Sequence, residues 1–132
     1  MFTHLEDRVA DIVSGAISDV SVVKGLRSDD LDTPCVIVLI DSAENFNVHF
    51  TDVFRVNVSI RYEEHYADTT KDKMDAKFSA ILSAFLVDDL VPELGIGGQA
   101  IFQAQVLSTS KTIEGDIFVN EIILEIISER DS

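Results

Sequence analysis

One cysteine, few basic residues and no long apolar run set the outer limits of what this chain can be. Cys35 is the sole cysteine, so no intramolecular disulfide can form. It sits among Val36, Ile37, Val38 and Leu39, where a buried thiol acts as a small hydrophobe, and a reducing cytoplasm is the expected place of assembly. The longest apolar run, Cys35 to Ile40, falls far short of the roughly 20 residues that cross a bilayer as a helix. No basic segment leads into an apolar stretch at the N-terminus either, so a soluble protein with no membrane partner is expected. Lysine and arginine number 10 against 24 aspartates and glutamates, a formal charge of −14. That excess repels phosphate backbones and anionic lipid, which argues against gripping nucleic acid through a basic face. It leaves room for a ring of acidic subunits that surrounds DNA without holding it. No internal repeat or low-complexity tract interrupts the chain.

What is present is an ordinary globular composition. The 132 residues are 46% hydrophobic and 26% charged, which predicts one domain over residues 1–132 with a single core. A chain of this size buries about two thirds of the surface it exposes when unfolded. The strongest pattern lies between Asn45 and Tyr62. Phe46, Val48, Phe50, Phe54, Val56, Val58, Ile60 and Tyr62 share one parity, and Asn45, Asn47, His49, Thr51, Arg55, Asn57, Ser59 and Arg61 share the other. This is the period of a strand with one buried face. Typical strands have about 5 to 6 residues, so a run of this length bends or projects toward a neighbouring subunit. Phe46, Val48, Phe50 and Phe54 are therefore the candidate subunit contacts.

The remaining elements follow from the same kind of reading. Leu5, Val9, Ile12, Val13, Ala16 and Ile17 recur at helical spacing, and Thr3 with Glu6 has the capping-box separation. A short strand is expected around Ser21 to Lys24, then a polar loop over Gly25 to Thr33. Pro34 opens a strand from Cys35 to Asp41 whose continuous hydrophobicity places it inside the sheet, and Ser42 to Glu44 is read as the turn into the long alternating strand. Met74, Phe78, Ile81, Leu82 and Phe85 define the buried face of a second helix. Thr69 and Asp72 form its cap, and Ala76, Ala80 and Ala84 are expected to let it approach the sheet closely. Val87 to Gly98 reads as a loop pinned by Leu90, Val91 and Leu94. Two strands, about Ala100 to Thr109 and Asp116 to Ser128, close the chain. The predicted class is α+β: a mostly antiparallel sheet of about five strands with two helices on one face.

Sites of chemistry are weakly marked. Glu63, Glu64, His65 and Asp68 could supply metal ligands, but they lack the paired His or Cys spacing of a zinc site, and a solvated strand–helix junction is the preferred reading. Asp29, Asp30 and Asp32 resemble a calcium loop without its glycine and its closing glutamate. Gly95-Ile96-Gly97-Gly98 leads into a strand, so its glycines read as turn residues and not as a phosphate cradle. His4, His49 and His65 form no nucleophile–base pattern with Cys35. No enzyme, cofactor or metal is expected.

The order of elements carries more than any motif. The N-terminal helix is followed by Thr33-Pro34-Cys35-Val36-Ile37-Val38, then by Phe54-Arg55-Val56-Asn57-Val58-Ser59-Ile60. The helix with Phe78-Ser79-Ala80-Ile81-Leu82 comes next, and the chain closes on Glu121-Ile122-Ile123-Leu124-Glu125-Ile126. Over nearly its whole length this pattern resembles the tail terminator proteins of tailed bacteriophages. The resemblance implies a non-enzymatic virion protein of the tail–neck region, assembled in the host cytoplasm. It would form a ring, usually a hexamer, at the head-proximal end of the tail tube and stop tube polymerisation. Its partners would be further copies of itself, the tail tube protein and a neck or head-completion protein, with DNA passing through without specific binding. Asp29, Asp30, Asp32, Glu63 and Glu64 are the candidate acidic groups of such a lumen. The alternatives are a neck or head-to-tail connector subunit and a small ligand- or metal-binding α+β domain.

Overall fold

In a computed structural model the described residues are 2–17, 20–25, 34–47, 50–65, 71–96 and 100–129. They form α1 (Thr3–Ala16), β1 (Ser21–Lys24), β2 (Cys35–Asn47), β3 (Phe50–His65), α2 (Lys71–Phe85), α3 (Leu90–Leu94), β4 (Ile101–Glu114) and β5 (Ile117–Glu129). The five strands make one sheet in the order β1-β2-β3-β5-β4. β1 runs parallel to β2, and every other pairing is antiparallel. The predicted α+β class and sheet therefore hold, with β2 in the interior as its unbroken hydrophobicity requires.

Alternation on the strands decides which face is covered. Val36 and Val38 of β2, Val56, Val58, Ile60 and Tyr62 of β3, and Ile122, Leu124 and Ile126 of β5 point to one side, here called the inner face. Against them pack Leu5, Val9 and Val13 of α1, Met74, Phe78, Ile81 and Phe85 of α2, and Leu90 and Leu94 of α3. The three described helices thus lie on a single face, and the core is the layer between them and the sheet.

Local details depart from the sequence reading in several places, and β4 runs on past Thr109 to Glu114. β2 does not end at Asp41 but continues to Asn47, so Ser42 to Glu44 is strand and the hairpin closes where Asn47 pairs with Phe50. The long alternating run is therefore two strands, which a single parity cannot reveal because alternation continues across their junction. The Thr3–Glu6 capping box does not form. Phe2 occupies the N-cap without a side-chain hydrogen bond, and its carbonyl accepts from the Glu6 N–H at 3.0 Å. On α2, Ala76 and Ala80 face solvent, and only Ala84 packs against the core. The pinned loop after α2 contains a helical turn, α3, whose Leu90 and Leu94 are buried. The loop Gly25 to Thr33 and the cap residue Thr69 lie outside the described residues, apart from Gly25. That glycine adopts φ 86°, which a side chain would strain, while its N–H bonds the Val38 carbonyl at 2.9 Å.

Phe78 is 6% exposed and sits between α2 and the sheet, whereas Asn57 lies on the opposite face and donates to Ser42 Oγ at 3.2 Å. Phe78→Ala is expected to lower unfolding free energy by about 3 to 5 kcal/mol. Asn57→Ala should cost no more than about 1.5 kcal/mol, the scale of one part-exposed hydrogen bond. Urea denaturation of both variants checks this. Equal small effects would mean that the two faces of β3 are assigned the wrong way round.

Candidate assembly interface

The uncovered side of the sheet, the outer face, is held by cross-strand polar pairs. Arg55 of β3 reaches Glu44 of β2 at 3.2 Å and Glu125 of β5 at 3.8 Å. Ser59 Oγ donates to Glu121 at 2.8 Å, and Gln105 of β4 donates to Glu125 at 3.2 Å. Arg61 donates to Glu63 at 2.7 Å and pairs with Glu114 at the end of β4. Burial is the largest single influence on Arg61 and works against its charge, but Glu63 and Glu114 together outweigh it and hold its pKa above the ordinary value. Directly opposed unlike charges each contribute a fraction of a kcal/mol, so the ladder's main effect is to fix register across four strands.

The acidic pair at the end of β3 is not a solvated junction. Glu63 is 1% exposed and Glu64 is 4% exposed, and both are strand residues. Glu63 faces outward to Arg61. Glu64 faces inward, where it accepts from Tyr62 Oη at 2.5 Å and from Lys77 Nζ of α2 at 3.4 Å. The sequence reading failed here because it ended the strand at Tyr62, although the alternation carries Glu64 on into the core parity. His65 pairs with Asp116 at 3.3 Å, and the described residues hold no group of three potential metal ligands. Asp29, Asp30, Asp32 and Asp68 lie outside the described residues.

The four candidate contact residues do not share a surface. Phe54 belongs to the inner face, where its ring meets that of Phe2 edge-on at 5.5 Å and 73°. Phe46 belongs to the outer face, with the Arg55 guanidinium 5.8 Å from its ring centre, and is 43% exposed. A β-bulge between Ile40 and Ser42 and a second register shift between Asn45 and Asn47 separate the two parities. Val48 and the Phe50 side chain lie outside the described residues. Phe46 instead joins Val53, Phe102, Gln103 and Ile127 around an apolar groove of about 370 Å³ on the outer face. The reading from sequence missed Phe102. Its signal was the adjacent pair Ile101-Phe102, which cannot both occupy one face without a bulge, and β4 shifts register between Ile101 and Gln103. A second groove, of about 550 Å³, lies at the far end of the inner face beside Met74, Ile113 and Phe118, where Lys111 bonds Asp75 at 2.9 Å.

No protein-family profile matches the chain, and no curated protein matches it in sequence. Solved structures do match in fold. A chain from the virion of a native gene transfer agent particle superposes with a TM-score of 0.62 at 12% identity, covering 95% of this chain and 94% of that one. The sheath/tube terminator of an extracellular contractile injection system, in its extended state, superposes with a TM-score of 0.50 at 13% identity. That match takes in 99% of this chain, which spans 57% of the terminator's length. At such identities the likeness establishes a shared fold, and it is consistent with the tail terminator resemblance read from the sequence.

The Tyr62–Glu64 contact gives a pH signature. Burial, followed by the hydrogen bond and charge of Glu64, raises the Tyr62 pKa well above its usual value near 10. Below pH 10 both states keep the phenolic proton. Above it the unfolded chain loses that proton while the folded chain retains it, so stability falls by up to about 1.4 kcal/mol per pH unit from this group. Urea midpoints at pH 9 and pH 10.7 should show the loss. Tyr62→Phe should reduce the drop, and an unchanged drop would refute the assignment.

Proposed function

We propose that this chain is a structural subunit of a phage-type tail, acting as a tail terminator. Copies close into a ring, a hexamer by the family's habit, at the head-proximal end of the tail tube. The ring ends tube polymerisation and presents a surface to a neck or head-completion protein. The observation that carries this reading is the fold likeness over nearly the whole chain to a virion chain and to a sheath/tube terminator. The side-chain inventory supports it. Among the described residues the buried carboxylates are taken up by fixed pairs such as Tyr62–Glu64 and Arg61–Glu63, which serve register and packing. Exposed aromatics, by contrast, sit on the open side of the sheet, where an assembly contact would cover them.

The charge of −14 suits a conduit that DNA slides through. Asp29, Asp30 and Asp32 remain the candidate lumen groups, while the burial of Glu63 and Glu64 within the chain removes them from that role. Phe46 is retained as a subunit contact because its ring is exposed, whereas Phe54 is used by the chain's own core.

Native mass measurement and negative-stain microscopy of the full chain test the proposal. The expected result is a closed ring of one stoichiometry that does not bind duplex DNA at about 0.15 M salt, where attraction is confined to a Debye length of roughly 8 Å. A protein that stays monomeric at high concentration and in the presence of tail tube protein would overturn the ring. Tight, salt-sensitive DNA binding would overturn the passive conduit.

A further inference from the structure

Among the described strands the sheet has two unpaired edge segments, and those of β2 and the first half of β4 lie at the same height. β1 pairs with β2 only over Cys35–Val38, so no described strand covers the outer edge of β2 from Leu39 to Asn47. β4 is the last strand at the opposite side, and no described strand pairs with its outer edge. Ala43 pairs with Val56, Val56 with Ile126, and Ile126 with Ala104, which sets Ala43 level with Ala104 across the sheet. Similarly Ile40 is level with Val106, and Asn45 with Ile101. Further along β4, Thr109 to Thr112 is level with Val38 to Cys35, the part of β2 that β1 already occupies.

Three successive antiparallel pairings make β4 antiparallel to β2. A second copy placed beside the first, with its helices on the same side, therefore presents its β2 edge to the first copy's β4 edge in antiparallel sense. Chemistry fits as well as direction. Ile101 to Leu107 contains no charged residue, in a chain whose net charge of −14 disfavours contact between like-charged surfaces. Across from it, Glu44 is already paired with Arg55. The two half-edges also carry exposed apolar side chains: Phe102 (58%) and Leu107 (52%) on β4, and Phe46 (43%) on β2. The β2 half-edge carries Asp41 and Glu44, so the uncharged β4 half-edge meets it without like-charge repulsion, and open edges with exposed hydrophobics are rarely left bare in isolated proteins.

We propose that adjacent subunits join by strand addition, with Ile101–Leu107 of one copy pairing antiparallel to Ile40–Asn47 of the next. The contact is heterologous, because each copy uses two different edges, and a rotation at each step closes the series into a ring. Main-chain hydrogen bonds supply the affinity, and Phe46, Phe102 and Leu107 exclude water beside them. This inference rests on the ring reading and specifies how the ring is held.

The test uses two exposed positions, one per edge: Leu107→Glu on β4 and Ala43→Glu on β2. Each variant alone should raise the apparent dissociation constant by about tenfold or more, since an added charge would be buried against the partner's edge. Mixed in equal amounts, the two should form a one-to-one pair, because the β4 edge of Ala43→Glu and the β2 edge of Leu107→Glu are both unaltered. Native mass spectrometry reads the species, and circular dichroism checks folding. If either variant misfolds, Phe102→Glu and Phe46→Glu replace the pair. Rings from both variants would overturn the edge contact and leave the ring reading standing. Self-association of Ala43→Glu with loss in Leu107→Glu would mean a two-fold β4–β4 contact and overturns the heterologous one. A wild-type chain that forms no ring, even with tail tube protein, would fail the ring reading itself.

Discussion

Two-sided use of β3 is the constraint on which the structure depends. Its even positions from Phe54 to Tyr62 meet the helices, and its odd positions from Arg55 to Glu63 form the polar ladder with β2, β4 and β5. A shift of one residue would carry Arg55 and Arg61 into the apolar layer and expel Val56, Val58 and Ile60, so register is specified from both sides at once. The buried Tyr62–Glu64–Lys77 contact extends the same logic. A carboxylate in the core parity is tolerated because a phenol donates to it and an ammonium stands nearby.

That economy explains what could be read from the sequence and what could not. The class, the five strands and the buried faces of α1 and α2 rest on apolar periodicity, which burial imposes directly on the sequence. Strand ends rest on weaker signals. Alternation runs from Asn45 through Phe50 without announcing the hairpin, and the bulge after Ile40 reverses the faces without any glycine or proline to mark it. Phe46 and Phe54 therefore looked equivalent and are not. Glu63 and Glu64 looked like solubilising charge because charge is usually exposed. Only the positions of Arg61, Tyr62 and Lys77 in space show why they are buried.

The candidate surface was legible in part. Phe46 emerged from the alternating run, whereas Phe102 and Leu107 needed the register shifts of β4 to bring them to the open edge. The described helices cover one face of the sheet, which leaves the outer face and the two edge strands for the proposed contacts. A net charge of −14 disfavours contact between like-charged surfaces of two copies, and the start of β4, Ile101 to Leu107, carries no charge.

The central claim is that this chain ends a tail tube, and tube length measures it most directly. Purified tail tube protein polymerised with increasing amounts of this chain, and imaged by electron microscopy, should give tubes that stop growing and carry a ring at one end only. Tubes that lengthen as they do without it, with bare ends at every ratio, would contradict the account.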